Sequence, residues 1–157
     1  MSGNVCITTT TSAVALSAAT AKTVLQVRAP TNNQNIKVLG WGVYFDGVTA
    51  SAIPVAVRLL RQTSAGTMTT GTANSLNNRP ETILTEVRHS ATAEPSNGGV
   101  ANEVDRITCH PQQWYEVRFP EGQEIILPNT GASTGYLGIE CTAAATVNVR
   151  AKLIFEE

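Results

Sequence analysis

The sequence predicts an all-β protein: an antiparallel β-sandwich, in the form of a jelly roll of about eight strands, with an extended N-terminal arm. Three observations carry that expectation. Apolar and polar residues alternate with a two-residue period along much of the chain, which gives a strand one apolar and one polar face. Clusters of Pro, Gly and Asn separate the alternating runs; these residues fix φ or tolerate the positive φ of tight turns. Nowhere do apolar residues recur at helical spacing over a dozen positions, and the β-branched Thr run beside the Ala-rich N-terminal stretch disfavours helix.

In chain order, residues 1–21 are expected as the arm and 22–157 as a single sandwich domain. The arm superficially resembles a signal peptide, but it has no basic n-region and its first cation, Lys22, follows the apolar residues. Val5, Ile7, Val14 and Leu16 are its apolar side chains offered to a partner. Strands are then expected over 22–28, 36–45, 53–59, 83–89, 115–119, 123–127, 136–142 and 147–155. The last is the clearest: Val147, Val149, Ala151, Leu153 and Phe155 alternate with Asn148, Arg150 and Lys152. Asp46-Gly47, Pro120-Glu121-Gly122 and Pro128-Asn129 punctuate the runs. Residues 66–112, rich in Thr, Asn, Ser and Gly, read as long polar loops with a further short strand over 104–109. Ser96-Asn97-Gly98-Gly99 is the expected exposed tip.

With 157 residues, the chain fits one domain and can bury a core without disulfides or metal. Charged residues make up only 15 %, well below the roughly 25 % of ordinary soluble domains. That suits a surface partly covered by copies of itself or by a partner. The net charge of −1 comes with no basic stripe, so nucleic-acid binding has no electrostatic driver. Arg58 and Arg61 read as the solvated edge of a strand. No run is long enough to cross a membrane. Cys6, Cys109 and Cys141 are odd in number and lack CxxC spacing, which points to reduced thiols made in a cytosol and not to a zinc site.

No catalytic, cofactor-binding or metal-binding residues are expected. Cys109 and His110 are sequence neighbours whose side chains leave a strand on opposite faces, a poor arrangement for a nucleophile and its base. Glu103 and Asp105 have Arg106 beside them, so a local ion pair is the better reading than a cation site. Trp41-Gly42-Val43-Tyr44-Phe45 reads as a core strand, although flat aromatics can also stack sugars. Trp114 is different. If Tyr115, Val117 and Phe119 hold an inward face, Trp114 and Glu116 point outward, and an outward Trp is either strand-end trim or an interface anchor.

The segments Val38-Leu-Gly-Trp-Gly-Val-Tyr-Phe-Asp-Gly47, Ile53-Pro-Val-Ala-Val-Arg-Leu-Leu-Arg-Gln-Thr63, Gly66-Thr67, His110-Pro-Gln and Phe119-Pro-Glu-Gly122, with the closing strand, resemble small bacteriophage head decoration, or cement, proteins. The resemblance runs from about Val24 onward and is one of strand and turn pattern. It implies a virion structural protein that binds the major capsid protein on the assembled head, often as a homotrimer, with an arm that orders on the shell. It carries over no individual contact residue. Localisation on the capsid surface after synthesis in the host cytoplasm follows from it. The alternative is a receptor- or carbohydrate-binding jelly roll of a tail fibre or lectin type. A cupin-like metalloenzyme ranks last, because two histidines do not supply the usual ligand set.

Overall fold

Alternation fixes which side chains each strand buries, and the computed structural model of the chain is built on it. It describes residues 3–29, 35–47, 53–97, 102–129 and 135–157. Among these the chain forms thirteen strands: β1 (Val5–Thr9), β2 (Val14–Leu16), β3 (Ala21–Arg28), β4 (Ile36–Phe45), β5 (Val55–Gln62), β6 (Thr67–Thr70), β7 (Ala73–Ser75), β8 (Glu86–Ala93), β9 (Glu103–Cys109), β10 (Trp114–Arg118), β11 (Ile125–Leu127), β12 (Tyr136–Thr142) and β13 (Val147–Glu156). Seven lie in one antiparallel sheet, in the order β10-β4-β13-β1-β7, with β11 also beside β4 and β2 beside β13. Six form the other, in the order β6-β8-β3-β12-β5-β9.

The inward faces meet in one apolar core. Trp41, Leu153 and Phe155 come from the first sheet; Leu25, Leu59 and Ile139 come from the second. All six are fully buried. The closing strand behaves as its alternation predicts: Val149, Ala151, Leu153 and Phe155 are buried while Arg150 is exposed. The antiparallel β-sandwich expected from the sequence is therefore the fold.

Two expectations need correction. The segment 1–21 is not an extended arm in its described part. β1 lies between β13 and β7, paired with β13 from Val5↔Glu156 to Thr9↔Lys152, and β2 pairs with β13 further along. Main-chain bonds join the two ends of the pair, Asn4 N–H to the Glu157 carbonyl at 2.9 Å and Glu157 N–H to the Asn4 carbonyl at 3.1 Å. Threonine conceals this strand in the sequence, because Thr8 and Thr10 occupy buried positions that an alternation count scores as polar. Both are satisfied there: Thr8 Oγ1 donates to the Thr72 carbonyl at 2.8 Å, and Thr10 Oγ1 accepts from Ala151 N–H at 3.3 Å.

The second correction concerns residues 66–112, which contain β6, β7, β8 and β9 as well as loops. Of the expected exposed tip, Ser96 is exposed, while Asn97 is half-buried against the six-stranded sheet; Gly98 and Gly99 lie outside the described residues. The Ser96 carbonyl accepts from Thr63 N–H at 2.8 Å, and Ser96 N–H donates to Ser64 Oγ at 2.9 Å.

Candidate functional site

The outward positions of the seven-stranded sheet are set by register. Across β10, β4 and β13, Trp114 is paired with Tyr44 and Tyr44 with Arg150. One row further on, Glu116, Gly42 and Lys152 line up, followed by Arg118, Gly40 and Ile154. The inward face of β10 is as expected: Tyr115, Val117 and the following Phe119 pack against the core, with Tyr115 tilted against Trp41 at 5.3 Å between ring centroids.

Trp114 is 66 % exposed, the most open large apolar side chain among the described residues. Its ring stacks on Tyr44, 6.4 Å between centroids with 18° between planes. Tyr44 in turn donates its hydroxyl to Glu116 at 3.0 Å, and the Lys152 ammonium pairs with the same carboxylate while lying 5.5 Å from the Tyr44 ring centre. Arg118 reaches Glu116 at 3.8 Å. The hydrogen bond from Lys152 leads the set of contacts that hold the Glu116 carboxyl below its ordinary range against a burial penalty. For Lys152, burial disfavours the charge, but Glu116 and Tyr44 outweigh it and raise the ammonium.

Two glycines make the arrangement possible. A Cβ at Gly40 would meet the Val117 carbonyl oxygen at 2.5 Å and Arg118 Cδ at 2.7 Å. One at Gly42 would meet Lys152 Cε at 3.3 Å and Glu116 Cβ at 3.4 Å. With no side chain on that stretch of β4, Glu116 and Arg118 lean in over it.

The five nominated contact residues divide. Trp114 is open, and Val5 and Ile7 are half-buried at outward positions on the same sheet. Val5 and Ile7 sit three strands from Trp114, roughly 14 Å across the sheet at about 4.8 Å per strand, and the register sets them a further seven and four residues along β4, level with Lys37 and Gly40 where Trp114 is level with Tyr44. Val14 and Leu16 face inward and belong to the core, so they are not available to a partner in this fold.

The outer face of the six-stranded sheet carries a network that alternation could not reveal. Gln26, Gln62 and Glu140 lie on neighbouring strands β3, β5 and β12 and are all buried. Arg58 pairs with Glu140 and also donates to it through Nε at 3.0 Å, which corrects its reading as a solvated edge; β5 is flanked by β12 and β9. Asn97 donates to Glu140 at 2.8 Å and accepts from Gln62 at 2.9 Å. Gln26 donates to Gln62 at 2.6 Å, and Glu94 accepts from Thr23 N–H at 2.8 Å. Residues 94–97, leaving β8, thus cover the polar side chains of the strands beside it. Polar residues at outward positions were legible in the sequence; the segment that buries them follows only from β8 and β9 lying on opposite sides of β3, β12 and β5.

Elsewhere, Arg106 pairs with Glu103 at 2.7 Å, the local ion pair expected there, on β9 rather than in a loop. Cys109 is buried and burial raises its thiol, while His110 turns to the following loop, its Nδ1 accepting from Gln112 N–H at 3.3 Å. Burial, then Glu157, pushes the Cys6 thiol up to about 11, and burial raises Cys141 further still. His89 is buried facing the core side, with Nδ1 3.0 Å from Ser90 Oγ and Nε2 3.3 Å from Thr11 Oγ1. Among the described residues no group of three or more His, Cys, Asp or Glu side chains is placed to hold a metal ion. No family model and no curated protein matches the chain.

Proposed function

We propose that the protein is a binding and assembly subunit: a virion structural protein of the capsid decoration type that binds the major capsid protein on an assembled phage head, as a homotrimer. The observation that carries the binding role is Trp114, a large aromatic held open at the rim of a sheet and fixed in orientation by its stack on Tyr44. Rigid aromatics of this kind supply much of the energy of protein interfaces at little entropic cost. The low proportion of charge agrees with a surface meant to be covered, and the resemblance of strand and turn pattern supplies the decoration role. The order β1-β13-β4-β10 in one sheet and β3-β12-β5-β9 in the other supports reading the sandwich as a jelly roll. Three copies in one trimer would add avidity to individually weak contacts.

The test is co-sedimentation of the purified protein with undecorated heads, together with light scattering for the oligomer. Saturable binding that Trp114→Ala reduces tenfold or more, about 1.4 kcal/mol, is the expected result. No binding to heads would overturn the decoration role.

A second reading has its own observation. A flat indole with Glu116 and Lys152 beside it is also what a sugar-binding surface offers. Binding of the isolated domain on a glycan array, abolished in Trp114→Ala, would favour that receptor- or carbohydrate-binding role.

A further inference from the structure

An asparagine side chain can close a five-membered ring on the main chain in two ways. The main-chain nitrogen of the next residue can attack Cγ and expel ammonia, which leaves the chain whole. Alternatively, Nδ2 can attack the asparagine's own carbonyl carbon and expel the next residue as an amine, which cuts the chain. A following glycine speeds the first route in an unfolded chain, because no Cβ shields its nitrogen. Asn97 is followed by Gly98. Which route a fold favours depends on the atoms it activates.

Among the described residues, the side chains that bond to Asn97 each meet an atom that the cutting route uses. Glu140, almost fully buried, accepts from Asn97 Nδ2 at 2.8 Å, so a carboxylate stands where the proton of the nucleophile must go. Gln62, also buried, donates to Asn97 Oδ1 at 2.9 Å; that oxygen carries the negative charge once Nδ2 has lost the proton. Asn102 donates through its own Nδ2 to the Asn97 main-chain carbonyl at 3.0 Å, and that oxygen becomes the oxyanion when its carbon is attacked. Arg58 holds the other carboxylate oxygen, Oε1, which orients Glu140 and leaves Oε2 to Asn97. A carboxylate is a weak base for an amide proton, so the reaction is slow.

We propose that Asn97 cuts its own peptide bond to Gly98, with Glu140 as the base and Gln62 and Asn102 stabilising the two oxygens. Nδ2 gives a proton to Glu140 and bonds to the Asn97 carbonyl carbon. The bond from that carbon to the Gly98 nitrogen then breaks, and the nitrogen takes the proton from Glu140. Residues 1–97 end in a succinimide, residues 98–157 begin with a free amine, and no other molecule is consumed. Gly98 lies outside the described residues and enters only as the amine that leaves. The cut chain keeps its fold, because β9, β10, β12 and β13 after the cut pair with β5, β4, β3 and β1 before it. The two pieces therefore part only when the sandwich unfolds. This activity is independent of the proposed binding role.

The test is incubation of the purified whole protein at neutral pH over days, followed by intact mass and denaturing electrophoresis. Two fragments that meet at Asn97 are expected, formed at a rate independent of protein concentration. Early in the reaction the first should be one water lighter than hydrolysis would leave it. Asn97→Ala should give neither fragment. Glu140→Gln keeps the shape of the side chain and should slow the cut about a hundredfold. Asn102→Ala, at a half-buried position, should slow it about tenfold, less than an enclosed oxyanion donor is worth. The native chain unfolded in urea is the control for variants that misfold; there Asn97 should deamidate without a chain break. A folded protein that stays whole overturns the self-cleavage. So does deamidation of the folded protein without a cut, which would assign the attack to the Gly98 nitrogen. A cut equally fast in urea or in folded Glu140→Gln also overturns it, since the buried carboxylate would then supply nothing.

Discussion

The two outer faces of the sandwich are both polar, and they use their polarity in opposite ways. On the six-stranded sheet, residues 94–97 close over Glu140, Gln62 and Gln26, and hydrogen bonds link these groups to one another, although Gln26 Oε1 is buried without a partner. On the seven-stranded sheet, Trp114 stands open and Glu116 is shared between Lys152, Tyr44 and Arg118. A covered network is committed to the fold, because removing one member strands its neighbours in a place water does not reach. An open one keeps capacity for a partner. The difference separates residues whose loss costs stability from residues whose loss costs binding.

Substitutions should follow that division. The largest effect is expected from Glu140→Ala, which leaves Arg58 and Asn97 without their carboxylate. A loss of about 3 kcal/mol is expected in urea unfolding, the low end for a buried pair because Arg58 is partly solvated. Asn97→Ala removes two hydrogen bonds of the cover, and about 1 kcal/mol should go by the same measurement. A loss as small as that in Glu140→Ala would show the two faces to be equivalent. On the open face, Trp114→Ala should change stability by no more than about 0.5 kcal/mol while weakening partner binding.

The smallest effect concerns pH. Glu116 is held below its unfolded value of about 4.3, so its contribution is complete above that value and is lost as pH falls through the lower folded one. The stability difference between the native protein and Glu116→Gln should therefore shrink through acid pH and stay flat near neutrality. A difference that grows on acidification would reverse the sign assigned to that carboxyl.

Much of the scaffold was legible in the sequence. β12 and β13 alternate cleanly, β4 changes parity where Ile36 and Val38 give way to Trp41, Val43 and Phe45 as its inward residues, and the inward set Tyr115, Val117 and Phe119 placed Trp114 on the outside. What sequence reasoning missed has physical causes. β1 was hidden because Thr8 and Thr10 fill buried positions through hydrogen bonds instead of apolar bulk. Val14 and Leu16 were read as contacts because nothing local tells a strand partner from another molecule. The cover over Glu140 depends on which strands are neighbours, and that is decided by long-range pairing. Likewise, Gly40 and Gly42 are plain in the sequence, but not that charges from β10 and β13 lie across them.

The meeting of Asn4 with Glu157 at one end of the β1–β13 pair has a mechanical consequence. Tension that pulls these two residues apart acts across the hydrogen bonds of an antiparallel pair from its open end. The bonds then fail one after another, as in a zipper, and not all together as they would in shear. Force applied there should peel β1 from the sheet at loads well below those that the buried core alone would resist.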